Sequence, residues 1–323
     1  PRRPGLEALG VYLSVNYVPG HKSLVDGVYK LPPAHSLTLD ADGSRRVEEY
    51  WNLASCFGKG GSPSSFEDAQ EQLRGLVSDS VRSRQVSDVA LGAFLSGGLD
   101  SAIIVGEMCD DSLKAAPDTF TIGFSEEGYS EVEAARQSAG HYSATQHDQV
   151  VGETIGDDIE KILGYLDEPM ADTSILPMFY LSKFARQSVT VALSGDGADE
   201  LFAGYPTYAA DRLRHLTSWT PSFLTDAVSA VVNKAVPDSP GKVTAEYKLK
   251  RFLEGHSYPA GKAHYAWRRT MSDEMKAALL LDDVRDRVMS FDPYSVFAEQ
   301  EAKLEECHYL DRSLYVDIKT WLC

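Results

Sequence analysis

The sequence predicts an α/β protein built on a doubly wound parallel sheet with helices on both faces, followed by a mostly helical C-terminal part. Three observations carry this prediction. Apolar runs of strand length alternate with helical patterns between residues 88 and 193. Glycine-rich turns follow two of those runs, at residues 96–101 and 194–200. Beyond residue 209, apolar residues recur three and four positions apart, which is the spacing of helices.

The elements follow one another in a regular order. Residues 6–15 have helical spacing, residues 36–40 read as a short strand, and the glycine- and serine-rich residues 57–65 read as a linker. Ser65 then precedes an acidic first turn and an amphipathic helix. Strands are predicted over residues 89–95, 118–124, 145–151 and 189–193, and helices over residues 129–140, 152–166 and 173–187.

Composition limits the classes of function. The 323 residues are 43% hydrophobic and 24% charged, as in an ordinary soluble globular protein, so we expect a cytoplasmic protein without a membrane partner. A net charge of -17 argues against nucleic acid, whose binding needs clustered cations. The four cysteines have no C-x-x-C spacing, which suggests neither a zinc site nor a disulfide framework. We expect small-molecule substrates.

The turn after the first strand of the sheet has the chemistry of a phosphate loop. It reads S-G-G-L-D-S and leads into a helical pattern. Paired glycines let the backbone approach a ligand, and the N–H groups at a helix start favour an anion. A tight strand-to-helix turn alone would also explain the glycines. Two hydroxyls and one carboxylate in the same turn favour a phosphate accompanied by Mg²⁺ instead: Ser96, Ser101 and Asp100.

A second turn, after the last strand of the sheet, is acidic. Three carboxylates lie within five residues, at Asp196, Asp199 and Glu200, with glycines among them. The first turn of an ordinary helix can be acidic, but such a cluster repels itself unless a cation lies within it. Because carboxyl ends of parallel strands meet at one sheet edge, we expect this turn to face the first one.

These motifs resemble a known family. S-G-G-L-D-S after an apolar strand resembles the pyrophosphate loop of N-type ATP pyrophosphatases. Together with S-G-D-G-A-D-E at 194–200, L-D-E-P-M-A-D-T-S at 166–174 and K-L-K-R-F-L-E-G at 248–255, it makes the chain similar to the synthetase domain of asparagine synthetases. The resemblance implies an adenine nucleotide alpha hydrolase-like fold. Residues 8–51 resemble the end of the family's glutaminase domain, so the predicted domains are 1–56, the linker 57–65 and an ATP-binding domain over 66–323.

The resemblance implies a reaction. ATP and Mg²⁺ would activate a carboxylate, most simply L-aspartate, as an acyl adenylate, and ammonia from glutamine would convert it to an amide. The resemblance assigns nucleotide binding to Phe94, Ser96, Gly97, Gly98, Leu99, Asp100, Ser101, Ile122, Ser194 and Gly195. It assigns magnesium to Asp100 and Asp199, and catalysis to Asp196, Asp199 and Glu200.

Parts of the family pattern do not occur in these residues. The N-terminal glutaminase cysteine, the D-R-x-S-M motif and a later catalytic lysine are not found. We therefore expect a fragment that binds magnesium-ATP without supporting amide formation, taken from a full-length protein that could form a homodimer. Three alternatives stay open: an amidotransferase acting on another carboxylate in polysaccharide or secondary-metabolite biosynthesis, a cyclising relative resembling β-lactam synthetase, or an inactive nucleotide-binding homologue.

Overall fold

The structure is a computed structural model that describes residues 3–58, 63–110, 116–124, 131–152, 158–220, 222–235 and 245–322. It contains two compact units. One consists of residues 1–60, 168–171 and 199–323, and the other of residues 61–167 and 172–198. The domain boundaries expected from the sequence stay a prediction, and residues 59–62 of the expected linker lie outside the described residues.

The unit of residues 61–167 and 172–198 is built on a parallel sheet. Its described strands are β3 (Leu91–Phe94), β4 (Asp118–Phe124), β5 (Thr145–Val151) and β6 (Val191–Leu193). They lie in the order β5-β4-β3-β6, and every neighbouring pair is parallel. The chain therefore moves outward from β3 through β4 to β5 and then returns to the opposite side of β3. This reversal leaves a crevice outside the carboxyl ends of β3 and β6, where ligands of such sheets bind.

Helices cover both faces of this sheet, as predicted. On one face α2 (Phe66–Arg84), α3 (Leu99–Cys109) and α4 (Val132–Tyr142) enclose Ala93 of β3 and Leu95, which follows it, in an apolar core. On the other face α6 (Ile175–Ala185) packs on a cluster around Phe120. Phe94 lies beside that second cluster, so the strand alternates between two apolar environments. The fold class is confirmed.

The observed bounds of several elements agree closely with those predicted from the sequence pattern. The strands over 118–124 and 145–151 are confirmed residue for residue, whereas β3 and β6 are shorter than the apolar runs that predicted them. The helix predicted over 152–166 is reduced to α5 (Ile159–Leu163), and residues 153–157 lie outside the described residues. Glycine has a low helix propensity, and Gly164 closes α5.

The other unit is mostly helical. It begins with α1 (Leu6–Val15) and a hairpin of β1 (His35–Leu39) and β2 (Arg45–Glu49). The strand predicted over 36–40 is found as β1, one residue earlier at each end, and its partner β2 is exposed along its length. The short helix α7 (Ala198–Phe202) leads into the helical region, whose described helices are α8 (Pro206–Leu216), α9 (Ser222–Ala235), α10 (Ala245–His256), α11 (Ala260–Arg268), α12 (Asp273–Leu279), α13 (Asp282–Met289), α14 (Tyr294–Glu301) and α15 (Tyr309–Asp317).

Tyr265 and Phe297 centre the core of the helical unit. Both are buried and join helices α11 and α14, with their ring centroids 5.0 Å apart. Val11 and Val15 of α1 and Val316 of α15 belong to the same cluster. Residues from both ends of the chain thus share one apolar core. Over the described residues, no helix combines the length and the apolar character needed to cross a membrane.

Candidate nucleotide site

The loop after β3 is tied together by its own hydroxyl groups. The Ser96 N–H donates to Ser101 Oγ at 3.1 Å, and the Ser101 hydroxyl donates to the carbonyl of Gly98 at 3.2 Å. Because Ser101 has one hydroxyl hydrogen, the 2.9 Å contact between the two hydroxyls must be donated by Ser96. Ser96 Oγ in turn accepts from the Gly98 N–H. The sequence predicted that these hydroxyls bind phosphate. In the structure they form the hydrogen bonds that hold the turn.

Helix α3 starts directly from this turn. Gly98 is the residue before its first turn and has an extended backbone, and Leu99, Asp100 and Ser101 are its first residues. The first N–H groups of a helix have no partner within the helix and carry the positive end of its dipole. Gly97, Gly98 and Leu99 are exposed. The first turn of α3, whose N–H groups have no partner within the helix, therefore begins at the carboxyl end of β3.

The loop after β6 touches the loop after β3. A Cβ at Gly195 would lie 2.8 Å from the Ser101 nitrogen and 2.9 Å from the Asp100 carbonyl carbon. Both distances are shorter than real Cβ contacts, so this approach requires glycine. Next to it, the Ser194 hydroxyl donates to Asp196 Oδ2 at 2.9 Å, and the Asp196 side chain is exposed. The predicted meeting of the two loops is confirmed at Gly195.

Phe94 and Ile122, which were also predicted to bind the nucleotide, lie on strands of the sheet. Phe94 pairs with Phe120 across β3 and β4, and Ile122 lies near the carboxyl end of β4. The Thr121 hydroxyl donates to the Leu95 carbonyl at 2.5 Å and accepts from Gln146 at 2.9 Å. This hydrogen-bond ladder fixes the end of β3 from which the phosphate loop starts.

The two acidic residues of α7 belong to the helical unit. Glu200 is 2% exposed; its Oε1 accepts from the Tyr205 hydroxyl at 2.8 Å, while Oε2 is buried without a partner among the described residues. A Cβ at Gly204 would collide with the Asp199 carboxylate. Asp199 and Glu200 are thus closely fitted within their own unit. A magnesium ion shared by Asp100 and Asp199 stays a prediction.

A metal cage made of protein ligands alone is not found. Within the described ranges, no group of three or more His, Cys, Asp and Glu side chains is placed to hold a metal ion. Magnesium bound to a nucleotide does not require one, since it typically takes one or two carboxylates and completes its shell with phosphates and water. The close approach at Gly195, the start of α3 and the carboxylate of Asp100 fit such a ligand pair.

Sequence reasoning missed a buried ionic cluster in the helical unit. His264 of α11 bonds Asp211 of α8 at 2.7 Å and Asp317 of α15 at 3.1 Å. Asp317 also accepts from Arg268 at 2.5 Å and from the Tyr208 hydroxyl at 2.6 Å. Burial alone would lower the pKa of His264, but the carboxylates of Asp317 and Asp211 outweigh it and raise that pKa to about 10. The cluster links three helices.

The ionic cluster also shifts the pKa values of its acidic and phenolic side chains, Asp317 and Tyr208. Burial opposes ionisation of Asp317, yet His264 and Arg268 hold the pKa of this carboxyl below its usual value. Burial and the adjacent Asp317 raise the pKa of Tyr208 well above its ordinary range. His264 is therefore a cation between two anions at neutral pH. No local sequence signal marks it, because each carboxylate lies 53 residues away.

The fold and the loops define a parallel α/β domain with a glycine-rich turn at its topological switch point. The asparagine synthase family matches residues 72–323, and the chain belongs to that family. Asparagine synthetase [glutamine-hydrolyzing] 1 of Bacillus subtilis is 36% identical over 207 residues, covering 62% of this chain and 31% of that protein. Putative asparagine synthetase [glutamine-hydrolyzing] 2 of Methanocaldococcus jannaschii is 34% identical over 225 residues, covering 68% of this chain and 42% of that protein.

Similarity to solved structures is weaker. The structure of NMN synthetase from Francisella tularensis matches with a TM-score of 0.31 and 13% identity, covering 80% of this chain and 95% of that chain. The chain spans less than half the length of the two curated relatives described above.

Proposed function

We propose that the protein is a carbon–nitrogen ligase that uses ATP to activate a carboxylate and then converts it to an amide. The observation that carries the proposal is the contact between Gly195 and the start of α3, because it joins the turns after β3 and β6 into one cradle. Phosphates bind at helix starts where the backbone is accessible. Family membership supplies the class of reaction.

The residues take distinct parts in this proposal. Gly97 and Leu99 donate backbone hydrogen bonds to the β- and γ-phosphates, and Gly195 allows the second loop to close on them. Phe94 and Ile122 border the adenine, and Ser194 approaches the nucleotide from the β6 side. When bound, magnesium would be held by Asp100 and Asp199 and would neutralise charge on the departing pyrophosphate. Asp196 and Glu200 complete the acidic set near the reacting carboxylate.

The substrates follow from chemistry and resemblance together. A carboxylate is a poor acyl donor until it is joined to AMP, and the anhydride can then be attacked by ammonia. We propose L-aspartate as the acceptor and glutamine as the source of ammonia, giving asparagine. Two relatives of similar sequence are named as glutamine-hydrolysing asparagine synthetases, which supports this choice over another carboxylate.

Pyrophosphate release tests the proposal. The full-length protein is incubated with ATP, magnesium and ammonium, and one carboxylate is added at a time. We expect release that depends on aspartate and is reduced at least tenfold by Asp100→Asn with the fold intact, since one lost metal contact costs several kcal/mol. Pyrophosphate release with a different carboxylate would identify the protein as an amidotransferase that acts on that carboxylate. ATP binding without release for any carboxylate would assign an inactive homologue.

A further inference from the structure

A carboxylate already occupies a donor of the proposed phosphate loop. Glu131 immediately precedes α4, and its Oε2 accepts a hydrogen bond from the Gly97 N–H at 3.2 Å. The other polar groups of the turn, Ser96, Gly98 and Ser101, bond to one another. The donor of Gly97 is therefore engaged by an anionic side chain from outside the loop.

The packing of α4 keeps Glu131 beside the loop. A Cβ at Gly97 would lie 2.9 Å from the Ala134 Cβ and 3.5 Å from the Glu131 Cβ, so glycine lets the start of α4 rest against the turn. Val132 and Ala135 are 7% and 0% exposed, and Ala135 belongs to the core shared with β3 and α3. The backbone next to Glu131 is thus anchored in that core.

Within the part of the chain that the structure describes, no Lys, Arg or His forms an ion pair with Glu131. Arg136, one turn further along α4, pairs with Asp148 at 2.8 Å and with Glu133 at 3.8 Å. Two further carboxylates lie in the loops at this sheet edge, Asp100 after β3 and Asp196 after β6. The Gly97 N–H therefore donates to a carboxylate whose charge no described cation offsets.

We propose that Glu131 is a built-in competitor for the phosphate that binds at Gly97. The inference rests on the proposed function, in which this loop binds the phosphates of ATP. A phosphate oxygen and the Glu131 carboxylate cannot both accept from one N–H, and two anions at that spacing repel each other. Glu131 weakens the binding of every polyphosphate, and it weakens metal-free polyphosphate most because magnesium lowers the ligand's negative charge.

Two substitutions separate charge from hydrogen bonding. Glu131→Gln keeps an oxygen that can accept from Gly97 but removes the charge, and Glu131→Ala removes both. Glu133→Gln is the matched control, because Glu133 lies in the first turn of the same helix, is exposed and contacts Arg136 instead of the loop. Calorimetry measures the Kd of magnesium-ATP and of metal-free pyrophosphate at about 0.05 M and about 0.5 M salt, a range over which exposed charges become screened.

Competition predicts that both Glu131 variants bind more tightly. We expect the Kd of metal-free pyrophosphate to fall about tenfold and that of magnesium-ATP by less, with both differences shrinking at high salt and Glu133→Gln matching the wild type. If Glu131→Gln matched the wild type or either variant bound more weakly, the carboxylate would be a support of the loop and the inference would be wrong. If neither ligand bound any of the four proteins, the proposed function would fail as well.

Discussion

Replacing Gly195 by alanine tests whether the two loops form one cradle. The added Cβ would lie 2.8 Å from the Ser101 nitrogen, short of the 3.4 Å at which ordinary van der Waals contact begins. The obstacle is the backbone of the first turn of α3, which cannot rotate away as a side chain could. The Gly195→Ala variant must therefore move the β6 loop or the start of α3.

The cost of this movement can be estimated in two terms. Overpacking of this kind destabilises a fold by about 1–3 kcal/mol. Moving the loop by half an ångström or more would also misplace backbone donors, and one hydrogen bond to a charged group contributes about 1.5–3 kcal/mol. We therefore expect the Kd of magnesium-ATP to rise about ten- to hundredfold.

The assay combines calorimetry with urea unfolding, and Gly75→Ala is the control. Gly75 lies within helix α2, and a Cβ there would meet nothing within 4 Å. That substitution should stabilise the protein by about 0.5–1 kcal/mol and leave the Kd unchanged. Wild-type Kd and stability in Gly195→Ala would refute the reasoning, since the loops would then not need their close approach.

Three further predictions concern the loop and the buried cluster. Ser101→Ala removes the hydroxyl that joins Ser96 and Gly98, so urea unfolding should show a loss of about 1–3 kcal/mol, whereas Ser83→Ala at an exposed site should change little. Asp317→Asn removes the buried carboxylate that pairs with both His264 and Arg268 and should cost about 3–5 kcal/mol by the same measurement, unlike Asp286→Asn on an exposed face of α13. The pKa of His264 is raised from 6.5 to about 10, so its stabilisation is complete below pH 6.5 and is lost as pH rises toward 10. The free energy of unfolding should fall across that window by up to about 1.4 kcal/mol per pH unit in the wild type, and His264→Gln should show a shallower slope.

The sequence predicted the sheet well because its signals are local. The strand over 118–124 is a run rich in apolar and β-branched residues, and the structure confirms its bounds and those of the strand over 145–151. The loops after β3 and β6 were recognised from paired glycines and clustered acids, and their contact followed from strand-end geometry. Gly195 shows why this works, since a close backbone approach requires glycine and glycine is visible in a sequence.

The contacts that the sequence could not predict join distant positions. Glu131 reaches Gly97 across 34 residues, and nothing about a glutamate before a helix indicates that its carboxylate points at a phosphate loop. His264 meets Asp211 and Asp317 across 53 residues in each direction. The predicted role of Ser96 and Ser101 in phosphate binding was also incomplete, because the same hydroxyls can form the hydrogen bonds that hold the turn.

Binding of magnesium-ATP to the 323-residue chain tests the central claim most directly. The measurement is a calorimetric titration of the wild type and of Gly195→Ala, with inorganic pyrophosphate as a competitor. We expect one site per chain, loss of the heat when pyrophosphate is added first, and binding at least tenfold weaker in the variant. Two results would contradict the assignment of the cradle between β3 and β6 to the phosphates. One is a folded wild-type protein that binds no magnesium-ATP. The other is equal binding by the wild type and Gly195→Ala that pyrophosphate does not affect.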